Sequence, residues 1–266
     1  MPVSADKKPI VLVVHGVQLG EDKDLNQDES IKELVMSRLA GTYFDFDVDL
    51  YCYENLNDQV QGKFKALSSL IMSSPVGGVL AKNVIDIVGD VVTSLADSST
   101  ANKIREGLKE KILSYYELGH PVYIVAHSLG TVYTFDVVNQ LIADKAYFDR
   151  NNPLLWPVQG MITIGSPLGL AMFKATGRKT AKNLGAGNFN FKWLNYFDIN
   201  DPVVSGNIFG KSLANTKIAE KYKKEDKNFG WFIRDFPVDT GKTWLLAHVA
   251  YWDSALVGDG LVNMMV

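Results

Sequence analysis

Four side chains spread along this chain carry the chemistry of acyl transfer: a serine at 128, aspartates at 198 and 201, and a histidine at 248. A serine hydroxyl is a weak nucleophile at its own pKa and needs a base within hydrogen-bond reach. The base needs an acid to orient it and to stabilise its cation. Ser128 stands in Ala126-His127-Ser128-Leu129-Gly130, which fits the nucleophile-elbow pattern G-x-S-x-G with Ala126 in the first glycine's place. The strained turn needs small residues two before and two after the serine, and alanine meets that need. A serine that merely caps a helix is the competing reading.

The flanking sequence decides between them. Val122 to Val125 is a continuous apolar run, and apolar residues then recur at helical spacing at Val132, Phe135, Val138 and Ile142. Strand, sharp turn, helix is the context the elbow requires. An acid and then a histidine should follow, each just beyond a later strand. Asp201 follows the strand-like FKWLNYF, residues 191–197, and His248 lies near the C-terminus after a strand-like segment at 231–238. Asp198 also lies beyond that strand and stays an alternative; Asp201 is favoured because Asp198 can still belong to the strand end.

The other histidines fit the role of base less well. His127 occupies the variable elbow position, where its side chain should point away from the serine hydroxyl. His15 closes the first strand, and His120 starts the elbow strand at its amino end. Acyl transfer also needs donors for the developing oxyanion. The backbone N–H after the nucleophile, Leu129, is one, and the loop after the first strand, His15-Gly16-Val17, offers Val17 as the second.

The elements that must hold these residues can be read in order. Ile10 to Val14 is a buried-type strand, Ile31, Leu34, Val35 and Leu39 mark one helix face ending at Gly41, and Phe44 to Tyr53 is a second strand. A helix from Ile104 to Tyr116 leads to the elbow strand, and Gly160 to Ile164 is another short strand. Strands alternating with helices predict an α/β fold, a mostly parallel sheet of about six strands with helices on both faces and a helical insertion. In such sheets the active site gathers at the carboxyl ends of the strands.

The chain of 266 residues, 47% hydrophobic, is read as one domain over 1–266. Within it, 55–100 is the candidate helical insertion or lid. Ala66 to Ala81 carries no charge but is broken by Pro75, Gly77 and Gly78, and Leu80, Val84, Ile87, Val91 and Leu95 form an apolar stripe beyond it. A wall over an acyl pocket and an ordinary helix packed on the sheet both fit that pattern. A net charge of −3 gives no broad basic surface for nucleic acid. The single cysteine, Cys52, excludes an intramolecular disulfide and is expected in the core. Lys7 and Lys8 before an apolar run resemble an export signal, but the run is short and lacks a cleavage pattern, so a cytoplasmic protein is expected. The glycines make neither a G-x-G-x-x-G after a strand nor a phosphate loop.

With VLVVHGV, VYIVAHSLGTVYTFDVV, ITIGSPLGL, NYFDINDPV and AHVAYW in this order, the chain resembles the α/β-hydrolase superfamily, specifically its lipase-like serine esterases. The resemblance implies a carboxylic-ester hydrolase with Ser128, Asp201 and His248 as triad, oxyanion donors at Val17 and Leu129, and no metal or organic cofactor. The implied partner is an acyl ester or lipid substrate, which admits peripheral contact with a membrane. An acyltransferase or thioesterase would use the same triad, and a catalytically silent binding protein on this fold is the reading from another class.

Overall fold

A computed structural model of the chain describes residues 3–4, 6–16, 26–39, 41–53, 99–149, 152–170, 191–205, 217–219, 232–242 and 245–266. Their strands are β1 (Ile10–Val14), β2 (Asp47–Tyr51), β3 (Val122–His127), β4 (Val158–Ile164), β5 (Lys192–Phe197) and β6 (Phe232–Pro237). The helices are α1 (Gln27–Arg38), α2 (Ser99–Glu117), α3 (Leu129–Ala143), the single turn α4 (Pro202–Ser205), α5 (Leu245–Val249) and α6 (Ala255–Met265). The sheet runs β2-β1-β3-β4-β5-β6, and every neighbouring pair is parallel. The expected six-stranded parallel sheet is therefore what these residues form.

Continuous apolar runs make β1 and β3 because both of their faces are covered. Successive side chains alternate across the sheet. Leu12, Val14, Ile124 and Ala126 join the core under α2 and α3, with Ile104, Leu108, Ile112, Val132 and Phe135. Val11, Val13, Tyr123 and Val125 join the opposite core with Ile31 and Val35 of α1 and Val257 and Leu261 of α6. β2 is an edge strand, only half-buried, and it is shorter than the sequence pattern over 44–53 suggested. Cys52, just past its end, is exposed and not a core residue. The chain leaves the sheet edge there, so the aromatic neighbours Tyr51 and Tyr53 turn inward while Cys52 faces out.

The connection from β1 goes to β2 on one side, and the chain then crosses back to place β3 on the other side of β1. Strand order reverses at the β1–β3 boundary, so the crevice beyond their carboxyl ends is where an open parallel sheet offers a site. The candidate insertion at 55–100 lies outside the described residues except for Ser99 and Thr100, which open α2. Among the described residues, no helix is long and apolar enough to cross a membrane.

Candidate active site

β3 ends at His127, and α3 begins at Leu129, leaving Ser128 alone at the turn with φ 52° and ψ −126°. Among the described residues it is the only non-glycine with positive φ. A side-chain-bearing residue in this region is strained by roughly 1–3 kcal/mol, so the surroundings must hold it there. They do so with backbone and side chain together. Ser128 N–H donates to Ile164 O at 3.1 Å, and Thr131 N–H and its hydroxyl donate to Ser128 O at 3.0 and 2.7 Å. The Thr131 hydroxyl is shared in turn with buried Ser166, just after β4, at 2.8 Å. A Cβ on Gly130 would stand 2.3 Å from His15 O and 2.5 Å from Val14 O, so only glycine lets α3 start this close to β1. The small-residue requirement read from the sequence has a physical source here.

His248 reaches the serine from α5. Its Nε2 lies 2.8 Å from Ser128 Oγ, and its Nδ1 lies 2.8 Å from Asp201 Oδ2. A carboxylate only accepts hydrogen bonds, so Nδ1 carries the proton and Nε2 offers its lone pair to the serine hydroxyl. Ser128 and His248 retain 6% and 5% exposure, whereas Asp201 has none. Ser128 and the imidazole are thus nearly buried, and the Asp201 carboxylate behind them is wholly so. Gly165, after β4, lets the imidazole lie against the main chain. Its φ is +58°, and a Cβ there would stand 3.0 Å from His248 Cε1 and Nδ1.

The Asp201 carboxylate accepts three hydrogen bonds. Val203 N–H donates to Oδ1 at 2.9 Å, opening α4, while Oδ2 receives His248 Nδ1–H and the Tyr251 hydroxyl, the latter at 2.9 Å. Asp198 does different work. Its Oδ1 accepts Asn200 N–H at 2.8 Å, and its Oδ2 accepts Thr240 N–H and hydroxyl at 2.9 and 2.7 Å, tying the β5 loop to the turn after β6. Of the two aspartates, Asp201 is the one that meets His248.

His127 turns away from the serine and donates from Nε2 to the backbone carbonyl of His248 at 2.8 Å. Its ring centroid is 4.7 Å from that of His248. Burial, and then the neighbouring His248, push its pKa well below the ordinary histidine value, so it stays neutral. His15 lies at the end of β1, where its Nε2 accepts Tyr53 N–H at 3.0 Å and its Nδ1 contacts Gly16 O. Burial lowers its pKa to about 4. His120 bonds Lys8 O at 2.8 Å at the amino end of the sheet, far from this chemistry.

The two expected oxyanion donors fare differently. Leu129 N–H opens α3, where no carbonyl lies a turn earlier within the helix to accept it. Val17 lies outside the described residues. Gly16 before it packs on the elbow so closely that a Cβ would stand 2.4 Å from Ser128 Cβ, so the main chain just after β1 lies beside Ser128. Sequence reasoning missed Tyr251 and Thr131. Tyr251 stands three residues after His248, a spacing that marks it as a neighbour on the same helical turn, yet a tyrosine in an apolar segment gives no sign of its partner.

A parallel sheet in the order 2-1-3-4-5-6, a strained serine between β3 and its helix, and a histidine beyond the last strand decide the architecture. The chain has the α/β-hydrolase fold. No family model matches the chain, and no curated protein matches it either. Among solved structures it is similar to a presumed hydrolase of the α/β superfamily from Xanthomonas campestris pv. campestris, at 13% identity and TM-score 0.46, covering 96% of this chain and 99% of that one. An uncharacterized protein from Bacillus cereus is similar at 14% identity and TM-score 0.43, covering 99% of this chain and 62% of that one. A cutinase-like protein from Cryptococcus sp. is similar at 12% identity and TM-score 0.36, over 100% and 98% of the two chains. Likeness at this level adds nothing about chemistry, so the assignment of the α/β-hydrolase fold rests on the topology and the elbow themselves.

Proposed function

We propose that the chain is a serine hydrolase that cleaves carboxylic esters through an acyl-enzyme. The reading is carried by the unbroken line of hydrogen bonds from Ser128 Oγ through His248 to Asp201, at the carboxyl end of the sheet. His248 Nε2 takes the Ser128 proton as the oxygen attacks the ester carbonyl, and Asp201 steadies the imidazolium that forms. Leu129 N–H, with Val17 N–H as the second donor, stabilises the oxyanion. The tetrahedral intermediate collapses as the C–O bond to the alcohol breaks, and His248 Nε2–H protonates the departing oxygen. Water, deprotonated by the same nitrogen, then releases the acid and restores the serine.

The substrate class follows from rates across p-nitrophenyl esters of rising chain length, below and above their micellar concentrations. Rates that climb with chain length and at the interface assign lipid esters. A flat profile assigns small esters and removes the lid over an acyl pocket at 55–100. A fluorophosphonate probe should label the wild-type chain and leave Ser128→Ala unlabelled, and persistent labelling would place the nucleophile elsewhere.

A further inference from the structure

We infer that Tyr251 is a positioning residue that sets how strongly Asp201 holds the His248 imidazole, and so the pH at which the base becomes competent. The inference deepens the hydrolase reading above and rests on it for its kinetic consequence. Asp201 Oδ2 accepts two protons at once, from His248 Nδ1 at 2.8 Å and from the Tyr251 hydroxyl at 2.9 Å. The tyrosine oxygen itself accepts Asp198 N–H at 2.8 Å. A hydroxyl that accepts while it donates is polarised and donates more strongly. The relay runs from the main chain of the β5 loop, through a phenol, into the oxygen that orients the base. Tyr251 and Asp201 are both fully buried, so little screening weakens it.

Each proton shared with Oδ2 draws charge from the counter-ion of the imidazolium and lowers the proton affinity of the base. Among the described residues, these are the groups that bear on this. Asp198 and Asp201 face Tyr251 from the segment after β5, and His127 faces it from β3 with ring centroids 6.4 Å apart. From α1, Glu29 and Glu33 line a cleft with Trp252 and Asp253. His127 spends its Nε2–H on the His248 carbonyl, and the Asp198 carboxylate on Asn200 and Thr240. Neither supplies Oδ2 with a replacement donor. Burial first, and then the Asp201 carboxylate, hold the phenol well above its ordinary pKa, so it remains a donor across the working range.

Tyr251→Phe removes the hydroxyl and keeps the ring. The acid limb of kcat/KM should move up by about one pH unit, and kcat should fall roughly fivefold with KM little changed. Fluorotyrosine incorporated at 251 makes the phenol a stronger donor and should move the limb down, an opposite sign that loosened packing does not produce. The His248 imidazole titration, followed by 15N NMR without substrate, should shift in the same two directions. An imidazole titration unmoved in both proteins overturns the inference even if esters are cleaved at normal rates. A titration that shifts as stated in a chain without ester cleavage or fluorophosphonate labelling upholds the coupling and sinks the reaction. Should Tyr251→Phe fail to fold, the fluorotyrosine protein decides alone.

Discussion

At the scale of single residues, the two aspartates divide orienting the His248 imidazole from holding the loop. Asp201→Asn replaces the Oδ2 acceptor or forces the imidazole into the wrong tautomer, and kcat should fall roughly 10³- to 10⁴-fold. Asp198→Asn leaves His248 oriented, because among the described residues the Asp198 carboxylate bonds Asn200 and Thr240 and not the imidazole. That variant should stay within about tenfold of wild-type kcat while losing about 1–2 kcal/mol of stability in urea melts. A larger loss of kcat from Asp198→Asn than from Asp201→Asn would reverse the assignment. Ser128 is the strained residue of the elbow. Its positive φ is a local expense borne by Thr131, Ser166 and Ile164, which together hold the hydroxyl where a relaxed turn would not.

Among the elements, the carboxyl end of β1 matters most. It lies between the elbow and the end of β2, and His15 ties it to β2 by accepting Tyr53 N–H and by stacking on the Tyr53 ring at 4.3 Å. With a folded pKa of about 4 against an ordinary 6.5, His15 binds a proton in the unfolded chain that the folded chain refuses between those pH values. Stability therefore holds above pH 6.5 and falls as pH drops toward 4, by about 3 kcal/mol from this residue. His127 pulls in the same direction. In denaturant melts at pH 7 and 4.5, His15→Gln should show a clearly shallower loss than wild type, since glutamine keeps an acceptor for Tyr53 and does not titrate. An unchanged slope would assign the acid sensitivity to other groups.

Across the whole molecule, what was legible in the sequence is what local patterning controls. The apolar runs of β1 and β3, the helical spacing of α2 and α3, and the parallel order follow from periodicity. The elbow was visible because strain forces small residues into neighbouring positions. Cys52 was misread because an alternating pattern does not reveal that β2 is the sheet edge and ends one residue earlier. The choice between Asp198 and Asp201 stayed open because both follow the same strand; only the path of α5 back to the sheet brings His248 to one of them. Tyr251 was missed for the same reason, since its partners lie on the segment after β5, and so was the bond from Thr131 to Ser166 after β4. Residues 55–98 and Val17 fall outside the described residues, and with them the expected lid or packed helix and the expected second oxyanion donor.

The central claim is that Ser128 becomes covalently acylated. Rapid acid quench of the chain with an activated ester, followed by peptide mass mapping, tests it directly. One acyl group is expected on the peptide carrying Ser128, formed within a turnover and absent from Ser128→Ala. Turnover with no adduct there, or with the acyl group only on the exposed Cys52, would contradict it.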